Sequence, residues 1–133
     1  KMGGVTRIID YKTGKVETKD LKLDQISNLT EKADSGKLLQ VLTYALMFKN
    51  KHNDEHMELI SGIISLRKIS AYLIKTDIEK SNLIDDILLD AFKKELELIV
   101  GRIFNTSHPF TQTKDLETCN MCAFNTICNR TVN

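Results

Sequence analysis

Asp10 and Lys12 stand two residues apart in the run Ile9-Asp10-Tyr11-Lys12-Thr13-Gly14. Side chains of an extended segment repeat every two residues, so this spacing places a carboxylate and an ammonium on one face at the end of a strand. Such a pair suits phosphodiester hydrolysis. A hard cation such as Mg2+ takes oxygen ligands, which the Asp10 carboxylate and the Tyr11 backbone carbonyl can supply. Lys12 can orient the attacking water or neutralise charge developing on the phosphate. Taken alone, Asp-x-Lys also describes a solvated turn with an exposed lysine, so its surroundings decide.

A second group lies near the other end of the chain. Cys119, Cys122 and Cys128 are its three cysteines, with the spacing C-x2-C-x5-C. Two thiolates two residues apart can chelate one metal centre through a tight turn, and the third can close on it after a short loop. Three cysteines cannot pair completely as disulfides, and in a cytosolic chain such a cluster reads as metal binding. An iron-sulfur cluster, zinc held with His108 as fourth ligand, and free thiols are the alternatives.

The elements that must position these groups follow from composition and periodicity. Val5 to Tyr11 is rich in β-branched residues and ends in the turn composition Lys12-Thr13-Gly14-Lys15, which predicts a strand. Val16 to Leu23 predicts a second short strand, and the polar stretch Asp24 to Ser35 a surface loop. Beyond Gly36, Leu38, Leu39, Leu42, Ala45, Leu46 and Phe48 fall near a 3.6-residue period, giving a helix of about four turns capped by Asp34 or Ser35. On that helix Gln40 and Tyr44 lie one above the other. Glu58 to Leu66 and Ile69 to Ile74 predict two neighbouring strands, and Ser81 to Phe104 a second helix. Its expected buried stripe is Ile84, Leu88, Ala91, Leu96, Ile99 and Ile103, with Ser81 or Asn82 as cap. The alternation points to an α/β fold, a mixed central sheet flanked by helices, followed by a cysteine-rich tail. We expect a core over residues 1–110 and a tail over residues 111–133.

The string Arg7-Ile8-Ile9-Asp10-Tyr11-Lys12-Thr13-Gly14, followed by a helix carrying Gln40-Val41-Leu42-Thr43-Tyr44, resembles the RecB-type branch of the PD-(D/E)XK nucleases. The resemblance implies a restriction-endonuclease-like core and Mg2+- or Mn2+-dependent cleavage of DNA. It implies further that Asp10 is a metal-binding carboxylate and Lys12 the catalytic lysine, with Gln40 and Tyr44 the helix pair supporting the active centre. The cysteine tail is similar to the one that closes AddB-type nuclease domains. There it implies that Cys119, Cys122 and Cys128 supply three ligands of a 4Fe-4S cluster acting as a staple.

Two parts of the family pattern are absent. None of the nine residues before Asp10 is acidic, and no cysteine precedes Cys119. The simplest expectation is that the 133 residues belong to a longer protein and that by themselves they cut DNA weakly or not at all.

Composition bounds the remaining readings. With 41% hydrophobic and 28% charged residues and a net charge of +1, the chain has no bulk basic character, so DNA contacts must be local. It has no apolar run of transmembrane length and no secretion-like segment at its start, which predicts a cytoplasmic protein that does not engage membranes. A helicase or helicase-nuclease subunit is the partner that the resemblance implies. The competing readings are a degenerate nuclease fold that binds DNA or a partner protein without cutting, and a small zinc-ribbon-like interaction domain. The latter leaves Asp10, Lys12, Gln40 and Tyr44 without a role.

Overall fold

The β-branched run near the start forms strand β1, Thr6–Lys12, as its composition requires. The structure is a computed structural model and describes residues 4–30, 32, 34–52, 58–67, 72–107, 109, 111–114, 116–120 and 122–130. Strand β3, Leu59–Ser65, lies parallel to β1, with Thr6 opposite Leu59 and Lys12 opposite Ser65. Parallel neighbours need a crossover, and helix α1, Gly36–His52, supplies it. Strand β4, Ile74–Lys75, adds antiparallel to β3, so the sheet is mixed with the order β1-β3-β4. Gly62 makes this junction possible: a Cβ there would sit 2.5 Å from the Ile74 carbonyl oxygen.

Helix α1 packs over β1 and β3. Its Leu38, Val41, Leu42 and Ala45 fall on one face and are fully buried with Leu59 and Ile63 of the sheet. Of the stripe read from the sequence, Leu38, Leu42 and Ala45 are in this face, Leu39, Leu46 and Phe48 are partly buried beside it, and Val41 joins it. Ser35 joins its first turn through its carbonyl, which accepts the Leu39 N–H.

The stretch expected to be a second strand is mostly something else. Thr18–Leu21 is a 3-10 turn, and only Lys22–Leu23 is extended, as β2. It pairs in parallel with β5, Asp77–Ile78. The cause is local, because the Asp20 carboxylate accepts the Glu17 backbone N–H at 2.9 Å and offers that backbone a partner other than a ladder. The expected surface loop that follows is also partly interior. It contains a 3-10 turn at Ile26–Asn28, and Ile26 and Leu29 are buried in the core.

Asp20 is itself only 5% exposed and pairs with Lys37 Nζ at 3.0 Å. Burial pushes its carboxyl pKa upward, but the Glu17 N–H and the Lys37 ammonium together outweigh burial and hold it below the usual 3.8. A carboxyl depressed in the folded state contributes stability above its unfolded pKa and loses it as the pH falls through its folded pKa. Acid titration followed by circular dichroism is therefore expected to show stability falling as the pH drops below 3.8. Asp20→Asn should be less stable at neutral pH and show a shallower loss in that acid range.

Helix α2 spans Asp86–Phe104 and begins five residues later than the sequence predicts. Ser81 and Asn82 are engaged elsewhere. Ser81 exchanges backbone hydrogen bonds with Ile78 across a two-residue turn in which Glu79 and Lys80 have φ of 54° and 64°. The Asn82 amide donates to the Thr76 carbonyl at 2.6 Å. Asp85 is the cap instead, its carboxylate accepting the Leu88 N–H at 2.8 Å. The expected stripe is kept only in part: Ile84 is buried ahead of the helix and Leu88, Ala91 and Leu96 are partly buried, while Leu89 and Phe92 are the buried residues of α2 itself. Ile103 is 68% exposed. Of the two strands expected between residues 58 and 74, the first is β3, the second is short, and residues 68–71 lie outside the described set.

By contact the chain forms two compact units, residues 1–100 and 101–133. In the second, helix α3 spans Leu116–Asn120, and only Cys119 is buried among the described residues. Polar bonds organise it: Arg130 donates through Nε to Gln112 Oε1 at 3.0 Å and through Nη1 to the Thr113 carbonyl at 2.6 Å. No helix among the described residues is long and apolar enough to cross a membrane.

Candidate active site

The end of β1 and the first half of α1 meet through one line of side chains. Asp10 and Lys12 project from the same face of β1, with the Lys12 ammonium 3.1 Å from Asp10 Oδ2. Lys12 Nζ donates to Gln40 Oε1 at 2.5 Å, and Gln40 Nε2 donates to the Tyr44 hydroxyl at 2.6 Å. An ammonium has donors only, so Gln40 must turn its oxygen to Lys12, and that leaves its NH2 for Tyr44. The four residues singled out in the sequence thus form one connected chain, Asp10, Lys12, Gln40 and Tyr44.

The solvated-turn reading of Asp-x-Lys does not describe this geometry. The Asp10 and Lys12 side chains are 16% and 30% exposed, and Lys12 is held by a residue 28 positions away. Asp10 Oδ2 is buried and, although close to the ammonium, makes no hydrogen bond. Its contact with Lys12 is an ion pair without hydrogen-bond alignment. A buried carboxylate oxygen left without a hydrogen-bond partner costs free energy unless another electropositive group takes it. The Lys12 ammonium is one such group and a divalent cation is another, for which the Asp10 carboxylate is a suitable hard donor.

The backbone agrees with that fit. Thr6 donates to the Glu58 carbonyl and the Lys12 carbonyl accepts from Leu66, each at 2.8 Å, so the even-numbered residues of β1 turn their backbone groups to β3. Successive residues of a strand alternate, which directs the Tyr11 carbonyl to the opposite edge of β1. That edge carries no paired strand among the described residues. The carbonyl is therefore free to act as a ligand, while the Tyr11 side chain is 64% exposed on the other face of the sheet.

Other expectations are not assembled. Among the described residues no three Cys, His, Asp or Glu side chains are gathered to hold a metal ion. Neither Asp10 nor the cysteines Cys119, Cys122 and Cys128 belong to such a group there, so this arrangement does not fit a cluster held by all three. The sulfurs nonetheless receive polar contacts. Arg130 Nη1 donates to Cys119 Sγ at 3.9 Å and the Phe124 N–H to Cys122 Sγ at 3.4 Å. All three cysteines are free of disulfides. His108, the conceivable fourth ligand, lies outside the described residues.

One neighbour of the site was invisible in the sequence. Ser65, at the end of β3, is buried and donates its hydroxyl to the Gly14 carbonyl at 2.8 Å. A serine closing an apolar strand carries no local signal of that contact, which depends on the parallel register.

Neither the curated proteins nor the solved structures yield a match to this chain. A family model does match, that of the PD-(D/E)XK nuclease superfamily, over residues 1–129. That span takes in the Asp10-Lys12 strand, the Gln40-Tyr44 helix and the mixed sheet between them, and the chain therefore belongs to the PD-(D/E)XK nuclease superfamily.

Proposed function

We propose that the chain is the metal- and phosphate-handling part of a DNA nuclease domain, in a recombinational repair protein of the AddB or RecB kind that works beside a helicase. One observation carries the nuclease reading: the buried Asp10 oxygen without a hydrogen-bond partner, next to a lysine locked by Gln40. Asp10 Oδ2 and the Tyr11 carbonyl would hold Mg2+ or Mn2+. The chemistry supplied by that cation when bound is polarisation of the phosphate and acidification of water. Lys12 places a fixed positive charge where the phosphate gathers negative charge, and it can orient the attacking water. Gln40 sets the direction of that ammonium, and Tyr44 sets Gln40.

The division of labour we infer is a nuclease core over residues 1–110 and a metal-binding tail over residues 111–133. With none of the nine residues before Asp10 acidic, incubation of the 133-residue chain with linear DNA and Mg2+ or Mn2+ should give slow cleavage or none. Rapid metal-dependent cleavage that disappears in Lys12→Ala would overturn the expectation of weak activity while strengthening the nuclease reading. Binding of Mn2+ that depends on Asp10 tests the site itself.

In the finer reading, Cys119, Cys122 and Cys128, which are not gathered in this structure, would have to draw together to contribute to a 4Fe-4S cluster in a longer protein. Its support is the C-x2-C-x5-C spacing and the donors aimed at two of the sulfurs. A fourth cysteine is absent, so the chain purified without oxygen should hold substoichiometric iron and sulfide and little absorbance near about 400 nm, the region of cluster-thiolate bands. Stoichiometric iron and sulfide would mean that a ligand other than cysteine completes the site. Stoichiometric zinc would favour a tetrahedral thiolate site instead. The alternative of a non-cutting DNA- or partner-binding module draws on the lack of an acidic residue before Asp10, and DNA binding that persists without cleavage in every metal would favour it.

A further inference from the structure

We propose that Ser65 is a positioning residue for the metal and phosphate groups on β1, a proposal that rests on the reading of Asp10 and Lys12 given above. The Asp10-Tyr11-Lys12 segment ends a strand, and the chain then leaves the sheet through Thr13 and Gly14. A strand end with nothing beyond it frays, and fraying would swing both the Tyr11 carbonyl and the Lys12 side chain. Ser65, the last residue of β3, and Leu66 just beyond it prevent this. The Leu66 N–H holds the Lys12 carbonyl and the Ser65 hydroxyl holds the Gly14 carbonyl, each at 2.8 Å.

Ser65 stands directly opposite Lys12 in the parallel register and is 2% exposed. Its hydroxyl therefore has no solvent alternative and is committed to Gly14. The backbone bond to Lys12 would form with any residue at position 66, whereas the bond to Gly14 needs a side-chain donor at position 65. Bonds made by groups that orient ligands, without touching the metal, commonly change metal affinity by about 10- to 100-fold.

Ser61 provides the matched control. It lies four residues earlier on the same strand and face, is fully buried, and bonds Thr76 at 3.4 Å, away from the site. The experiment is a Mn2+ titration of the full chain, with free Mn2+ read by electron paramagnetic resonance, on wild type, Asp10→Ala, Ser65→Ala, Ser65→Thr and Ser61→Ala. Ser65→Ala should bind Mn2+ about tenfold more weakly, Ser65→Thr should recover most of that loss, and Ser61→Ala should bind as wild type despite a lower melting temperature.

If Asp10→Ala loses Mn2+ while Ser65→Ala keeps it, the metal site stands and the role of Ser65 is overturned. Equal weakening in Ser65→Ala and Ser61→Ala would reduce Ser65 to general strand stability, which also overturns it. Mn2+ binding that is absent from wild type, or unchanged in Asp10→Ala, would remove the site reading and this proposal with it. Amide exchange across residues 13–16 gives a second reading that does not depend on the threonine variant fitting. It should quicken in Ser65→Ala, and unchanged protection there would count against the proposal.

Discussion

Asp10→Ala is expected to weaken Mn2+ binding by at least about 100-fold, more than the loss of an outer orienting group, because it removes the carboxylate oxygen proposed to hold the cation. Lys12→Ala should do the opposite to the metal. The ammonium lies 3.1 Å from Asp10 Oδ2 and competes electrostatically with any cation placed there, so its removal leaves Mn2+ affinity unchanged or higher. The same substitution removes the charge that meets the phosphate. The pair of variants thus separates holding the cation from using it, and isothermal titration with Mn2+ on both reads the difference directly. Equal losses of affinity in the two would mean that Lys12 only supports the fold around Asp10. Gln40 tests the link between them, since Lys12 would lose the oxygen that aims it without Asp10 losing anything.

Phe92→Ala should be the most damaging single change to the fold, at about 3 to 5 kcal/mol. The residue is fully buried, and of the 19 residues of α2 only Leu89 and Phe92 are buried. Domains of this size are stable by about 5 to 15 kcal/mol, so the variant would sit near its unfolding threshold. Ile87→Ala, on the same helix but 80% exposed, should change stability by no more than about 0.5 kcal/mol. Urea denaturation monitored by helical circular dichroism compares the two. A large loss in Ile87→Ala with little in Phe92→Ala would mean that the helix faces the core the other way.

The contrast between these residues marks where sequence periodicity runs out. Leucines and isoleucines line more than one side of α2, so several stripes satisfy a 3.6-residue period, and the eventual choice falls on Leu89 and Phe92. Helix α1 also carries apolar residues off its buried face, with Leu39, Leu46 and Phe48 partly buried and Met47 exposed, but its core face of Leu38, Val41, Leu42 and Ala45 is continuous. The start of α2 failed for a related reason. Ser81 and Asn82 are good caps in isolation, but here the Ser81 hydroxyl accepts the Leu83 N–H and the Asn82 amide donates to the Thr76 carbonyl. Asp20 likewise turned an expected strand into a 3-10 turn by a bond three residues back.

By itself, the sequence determined the strand end that carries Asp10 and Lys12 and the helix face that carries Gln40 and Tyr44, because both are properties of local period. It also determined the mixed α/β class, through the alternation of those periods. Only the tertiary structure decided that Lys12 reaches Gln40 across 28 residues, that Asp10 Oδ2 is buried without a hydrogen bond, and that Ser65 stands opposite Lys12. Each of these depends on the parallel register of β1 against β3 and on how α1 lies across them. Register and helix placement are set by the summed packing of distant residues, and no local pattern encodes that sum.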